Sequence, residues 1–387
     1  MNFSAFMPKI DFGDGKFDRI GEITKPYGKK AMVTIDPYLE KAGVGEALSG
    51  FLKKSGIDSI RNTDIQSNPD CYSADKCGQV ARQNGCDVVI AVGGGSAMDY
   101  GKAVAVVAVN PGESWAYTRR SDHKVLEPSD KTLPVITIPT TAGTGSEATT
   151  YSVLNNTRIH EKSTIVSEKI LPKISIVDPL LMASMPPQLT AHTGIDALAH
   201  AIESYINITG NPFNRMLALE AIRMIAEYLP MAVANGQNRI ARAKMAWAST
   251  LAGAAIAFVA PTLPHAMGQA VGGFKNAPHG GTLTACLVKV LEISFMSDAP
   301  LFADIAEAMD PEIRKLSVRD KAELCPKLVA RLLADTGTHV KYSDFGLRKE
   351  DIPRVTQIAF TGYGADIAVH PRRVTEEDVK RLYEECL

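Results

Sequence analysis

Asp87-Val-Val-Ile-Ala-Val92 is an almost unbroken apolar run, and Gly93-Gly94-Gly95-Ser96 follows it directly. A strand that is wet on one side alternates apolar and polar residues. One that is apolar on both faces belongs to a parallel sheet covered from above and below. Parallel neighbours cannot be joined by tight turns, so helical crossovers must flank such a strand. The sequence supplies them. Ala31–Ile35, Ser59–Ile60, Leu133–Ile138 and Ile174–Val177 read as further strands, while Val44–Ser55, Cys71–Asn84 and Ala97–Val109 carry helical periodicity between them. The expected first unit is therefore α/β with a largely parallel sheet.

Past Asp178-Pro179 the pattern changes. Asn214–Leu229, Arg239–Ala260, Thr282–Met296, Leu301–Met309, Val318–Thr336, Arg348–Thr361 and Thr375–Cys386 are all helical in period, and no strand run stands out. At 387 residues two domains are the default. We place the boundary at Met185-Pro186-Pro187, giving an α/β domain over 1–185 and an all-helical one over 186–387.

Composition narrows the class of partner. The chain is 45% hydrophobic and its formal net charge is −1, without blocks of like charge, which recommends neither a nucleic acid nor a membrane surface. The longest apolar run, Leu251–Ala260, is too short to cross a bilayer. The start of the chain has no basic run followed by an apolar core, and the six cysteines form no C-x-x-C pair. These features fit a cytoplasmic protein with reduced thiols.

The loop Gly93–Ser96 lets backbone N–H groups approach a phosphate, and the helix after it adds positive potential. It is not the G-x-G-x-x-G pattern, because Met98 holds the third glycine's place. Pro139–Glu147 (PTTAGTGSE) is a second loop directly after a strand. Its hydroxyls can face a ligand or cap a helix, since Thr144 and Glu147 have capping-box spacing. Asp36 ends a strand, where a carboxylate either accepts from an adenosine ribose, favouring NAD over NADP, or simply closes an Asp-Pro turn.

In Asp196-Ala-Leu-Ala-His-Ala-Ile-Glu203 the four-residue spacing stacks Asp196 and His200 on one helical face among apolar neighbours. His265 and His279 follow in a region rich in Gly and Pro, where loops can aim side chains. One oxygen and three nitrogens suit a divalent metal such as Fe(II) or Zn(II).

These stretches together resemble the iron-containing (group III) alcohol dehydrogenases, the family of lactaldehyde reductase and 1,3-propanediol dehydrogenase. The resemblance runs nearly the whole length, through Phe12–Gly15, Ala91–Asp99, Ile138–Glu147, Met185–Pro187, Thr193–Glu203 and Pro278–Gly280. It implies a dinucleotide-binding α/β domain and an all-α metal-binding domain of the dehydroquinate synthase-like kind. It further implies metal-dependent hydride transfer between NAD(H) and a short-chain primary alcohol or diol, or the aldehyde in reverse, by a homo-oligomer. A zinc-dependent polyol (glycerol-type) dehydrogenase is the alternative, and a dehydroquinate-synthase-like lyase a more distant one. Asp196, His200, His265 and His279 take the positions of the metal ligands. Cofactor contacts fall on Asp36, Asn68, Gly94, Gly95, Ser96, Asp99, Thr140, Thr141, Thr144 and Lys162. Where many members carry a further histidine near the nicotinamide, this chain has Gln269, which takes no proton near neutral pH. His370, where Asn is common, reads as incidental. Val153, Phe258 and Phe274 are apolar candidates for lining the substrate pocket.

Overall fold

The computed structural model describes Phe3, Met7–Arg120 and Lys124–Leu387. Eight strands are numbered in chain order: β1 (Lys9–Phe12), β2 (Lys30–Ile35), β3 (Asp58–Asn62), β4 (Val88–Gly93), β5 (Val135–Pro139), β6 (Tyr151–Asn156), β7 (Glu161–Val166) and β8 (Ile174–Val177). The longer helices are α1 (Val44–Lys54), α2 (Cys71–Gln83), α3 (Gly95–Val107), α4 (Pro187–Ile206), α5 (Pro212–Ala234), α6 (Arg239–Ile256), α7 (Leu263–Phe274), α8 (His279–Ser294), α9 (Ala299–Met309), α10 (Val318–Asp335), α11 (Ile352–Ala368) and α12 (Glu376–Glu385). Chain contacts divide the molecule into two compact units. One holds Phe6–Thr141 and Ser146–Ala183, the other Ala142–Gly145 and Ser184–Leu387.

The first unit is built on a six-stranded sheet in the order β1-β8-β5-β4-β2-β3, every neighbouring pair parallel. All six residues of β4 are buried, as expected of a strand covered on both faces. Its two sides enter two separate cores. Val88, Ile90 and Val92 pack with Ile35, Leu48 and Leu52, whereas Val89 packs with Met32, Tyr100 and Val104. Each such side chain contributes about 1.5–3 kcal/mol by leaving water. The expected element types hold through this unit. The short edge strand β1 and the antiparallel hairpin β6–β7 are additions.

The second unit contains no strand among its described residues, and α4 through α12 make up its body. Two sequence expectations fail here and nearby. His265 and His279 do not stand on loops: His265 lies in the first turn of α7 and His279 is the first residue of α8. Pro264 sits in the first turn of α7 and Pro278 caps α8, so prolines that suggested irregular chain instead start helices. Likewise the second loop leads into no α-helix. Only the short 3-10 turn Ser146–Ala148 follows the spacing that suggested an α-helix start. Among the described residues no helix is long and apolar enough to cross a membrane.

Candidate metal centre and dinucleotide loop

In the α/β unit, Gly93 closes β4 with φ of +147°, a conformation that side chains rarely adopt, and a Cβ there would meet that of Ala97 at 2.7 Å. The chain can therefore turn sharply into α3, whose first N–H groups have no carbonyl within the helix to bond. The close helix–strand approach that a third fingerprint glycine would permit is supplied one turn later than expected, by Gly101. A Cβ on Gly101 would fall 2.7 Å from both Ala91 Cβ and Thr34 Oγ1.

The residues named for the cofactor differ in what already occupies them. Asp36 spends Oδ1 on its own turn, accepting from Tyr38 N at 2.8 Å, so the Asp-Pro reading holds. Ser96 Oγ donates to Ser67 O. Asp99 accepts from Ser146 Oγ at 2.6 Å and from Val153 N at 2.9 Å, which ties β6 to α3. Gly94 and Gly95 form the start of α3. Thr140 is buried and donates its N–H to Gly93 O at 3.0 Å, and Thr141 lies against Gly94. Lys162, brought in by β7, donates to Asn68 Oδ1 at 2.7 Å, and burial pushes its amine down to about 8. Thr144 groups with the helical unit.

One residue of this unit carried no expectation as a site and is fully buried: Lys102. Its ammonium donates to Ser146 O, Ser146 Oγ, Thr149 O, Thr149 Oγ1 and Tyr151 O at 2.7–3.1 Å. Burial lowers it to about 8, opposed by the charges of Asp99 and Glu147. It still carries its charge near neutral pH.

In the helical unit the four expected ligands converge. One ligand atom from each of Asp196, His200, His265 and His279 lies within 4.8 Å of the others. Asp196 Oδ1 sees three imidazole nitrogens, His279 Nε2 at 3.5 Å, His265 Nε2 at 3.8 Å and His200 Nε2 at 3.9 Å. These separations are too long for hydrogen bonds. They approximate the edges of a coordination polyhedron, about 3.4 Å for a tetrahedron with bonds near 2.1 Å. Asp196 Oδ1 is buried and has no hydrogen-bond partner. A carboxylate left so would be costly, and a divalent cation removes the cost. The donor set of one oxygen and three nitrogens fits Fe(II) or Zn(II).

Glu203 was not assigned a role, although its i+7 spacing from Asp196 places it on the same face of α4. It is completely buried. Its Oε1 lies 2.5 Å from His265 Nδ1, and its Oε2 accepts from Thr262 N at 2.6 Å and Thr262 Oγ1 at 3.1 Å. Thr262 is the N-cap of α7 but its side chain does not cap that helix; the carboxylate of Glu203 does so instead. Burial raises Glu203 to about 7 and lowers His265 to about 3, which disfavours an imidazolium–carboxylate ion pair without a cation. A cation beside His265 Nε2 would favour the anion on Glu203 and the proton on Nδ1.

Gln269 lies one turn beyond His265 on α7, buried, with no partner for its Oε1. Val153, Phe258 and Phe274 are half-buried. His370 is not incidental: it is 2% exposed and hydrogen bonded through both ring nitrogens, to Ser294 and Thr262.

Comparison with known proteins agrees along the chain. The profile of iron-containing alcohol dehydrogenases matches residues 8–179, and the C-terminal profile of the Fe-containing alcohol dehydrogenase family matches residues 190–387. The 1,3-propanediol dehydrogenase of Citrobacter freundii is 36% identical over 99% of this chain and 98% of that protein. A solved 1,3-propanediol oxidoreductase superposes with a TM-score of 0.92 at 34% identity, covering 100% of both chains. The sulfoacetaldehyde reductase of Bifidobacterium kashiwanohense, solved in complex with NAD+, gives a TM-score of 0.87 at 30% identity over 100% of this chain and 99% of that one.

Proposed function

The chain belongs to the iron-containing alcohol dehydrogenase family, and on that premise we propose that it interconverts short-chain primary alcohols or diols and their aldehydes with NAD(H). Asp196, His200, His265 and His279 hold Fe(II) in this reading, with Zn(II) able to compete for the same donors. The observation that carries it is the unpartnered, buried Oδ1 of Asp196 ringed by three imidazoles.

When bound, the metal supplies Lewis acidity toward an alcohol or carbonyl oxygen, and the nicotinamide supplies or accepts hydride. The chain's own residues do the rest. Glu203 holds the proton of His265 at Nδ1, which keeps Nε2 free to act as a ligand. The first turn of α3 and the Gly93–Ser96 loop offer N–H donors for a diphosphate, and Asn68, Asp99, Thr140, Thr141, Thr144 and Lys162 complete the proposed cofactor set. Asp36 favours NAD over NADP, since a 2′-phosphate would meet a carboxylate. Gln269 presents a neutral amide next to the ligands. It can accept a hydrogen bond from a donor but cannot take up its proton.

A dehydroquinate-synthase-like lyase would need basic groups to hold an anionic substrate. Lys275 is the one Lys or Arg between Gly253 and Gly281, and it is paired with Asp351 at 2.6 Å. The proposal extends to a cytoplasmic location, which six buried, unpaired cysteines support, and to the homo-oligomer that the family resemblance implies. It takes 1–185 as the dinucleotide-binding domain and 186–387 as the metal and substrate domain. A panel of alcohols and aldehydes with NAD(H) and NADP(H), run beside elemental analysis, tests it. Turnover should vanish in chelator-stripped protein and return with Fe(II), while NADH binding persists. Full turnover in a metal-free preparation overturns the reading.

A further inference from the structure

The proposed ligand cluster is one end of a longer buried chain of polar groups. His265 Nε2 faces the cluster and His265 Nδ1 meets Glu203 Oε1 at 2.5 Å. Beyond Glu203 the chain continues from Oε2 to Thr262 Oγ1 at 3.1 Å, from there to His370 Nδ1 at 3.2 Å, and from His370 Nε2 to Ser294 Oγ at 2.8 Å. Glu203, Thr262 and Ser294 are fully buried and His370 nearly so. The members come from four places: Glu203 from α4, Thr262 from the cap of α7, Ser294 from the end of α8, and His370 from the turn after α11.

Counting hydrogens gives this chain a direction. Thr262 and Ser294 have one hydroxyl hydrogen each, and burial keeps His370 neutral with one ring hydrogen, its imidazole pushed down to about 3. Thr262 Oγ1 donates its one hydrogen to Glu203 Oε2. Thr262 Oγ1 must then accept from His370 Nδ1–H, and His370 Nε2 accepts from Ser294. In the reverse order Ser294 gives its hydrogen to Val290 O, 2.6 Å away. His370 then donates from Nε2, Thr262 turns toward His370, and Glu203 loses a donor. Only the first order sends every hydrogen toward the carboxylate.

We propose that Thr262 and His370 are positioning residues for the metal. They hold Glu203 in place and, through it, set the His265 ring in its ligand orientation. The proposal rests on the metal reading above and adds to it a reach of two further side chains. Outer hydrogen-bond partners of this kind typically change metal affinity about 10–100-fold.

The test uses the full chain, stripped with chelator, with Fe(II) (anaerobically) and Zn(II) affinities measured by competition against a chromophoric chelator. Thr262→Val and His370→Phe should each weaken metal binding about tenfold or more. The double variant should be little weaker than the worse single one, because both cut the same chain. His370→Gln, which can still donate to Thr262, should recover most of the loss. Thr336→Val removes a buried hydroxyl elsewhere in the helical unit and should lower the melting temperature of the metal-free protein without changing affinity. Should His370→Phe fail to fold, Thr262→Val, a near-isosteric exchange, carries the same comparison. Wild-type affinity in the variants, or losses that simply add in the double, overturns the proposal alone. Absence of metal binding by the wild-type chain overturns the metal reading with it.

Discussion

Both units bury charge, but they finish the job differently. In the α/β unit Lys102 is enclosed and its ammonium faces five oxygens within 3.1 Å. In the helical unit Asp196 is 2% exposed and its Oδ1 has no hydrogen-bond partner, only three imidazole nitrogens standing back at 3.5–3.9 Å. A saturated buried ion is an internal strut, tying α3 to the loop and strand it contacts. An unsaturated one, with imidazole nitrogens at the spacing of ligands around one ion, fits a place for a cation. The perturbed ionisation of Lys102 would by itself mark it as a functional candidate. Its completed hydrogen bonding argues for structure instead.

That contrast makes opposite demands on mutation. The largest effect is expected for His265→Ala, which removes a proposed ligand and leaves Glu203 without its nearest partner. It should reduce kcat/KM for aldehyde reduction by on the order of 10³-fold or more, with metal content falling and NADH affinity nearly unchanged. Retained activity would show the cluster to be only another strut. Lys102→Met should do the reverse. It strands three backbone carbonyls and the charge of Asp99, at a cost of about 3–5 kcal/mol in chemical denaturation, while any folded fraction keeps its metal. A variant of normal stability that fails to turn over would assign Lys102 to catalysis and erase the distinction.

The two units were also unequally legible. β4 and its glycine loop announce themselves because a doubly covered strand must be apolar throughout and the turn needs φ above zero. Asp196 and His200 stand out because two polar groups share a helical face among Leu, Ala and Ile. The hairpin β6–β7 gives no such signal. Its sequences YSVLNN and EKSTIV are polar because they answer polar partners, among them Asp99, and no periodicity encodes a partner fifty residues away. β1 is four residues at a sheet edge, too short to register. Prolines near His265 and His279 suggested loops, although proline at a helix start is favourable. The i+7 spacing of Glu203 from Asp196 is a usable signal, but only the tertiary structure reveals that Glu203, Thr262 and His370 touch.

A smaller effect is expected at Gln269, one turn beyond His265, whose amide stands where the family resemblance implies a histidine. If proton movement near the nicotinamide passes this side chain, Gln269→His should add an inflection near pH 6.5 to the kcat/KM profile, activity rising as the imidazole loses its proton. An unchanged profile would mean that solvent or the cofactor carries the proton.

The finest version of the comparison concerns backbone rather than charge. Each unit uses a left-handed φ just before a site-forming helix: Gly93, at +147°, before α3, and Ala260, at +93°, shortly before α7. Glycine adopts such angles freely, whereas alanine gives up about 1–2 kcal/mol. Ala260 is held there by Asn207, whose amide donates to Ala260 O at 3.1 Å and so fixes the approach to Thr262. Gly93→Ala should therefore destabilise the protein by about 2 kcal/mol, because the new methyl group also meets Ala97. Ala260→Gly should relieve strain, but the added freedom of the unfolded chain returns about 0.5–1 kcal/mol of that gain, leaving a net rise of about 1 kcal/mol or less. If Ala260 is strained in order to hold Thr262, metal affinity should fall slightly even as stability rises. Stability and affinity moving up together would show that the turn at Ala260 carries strain without serving the site.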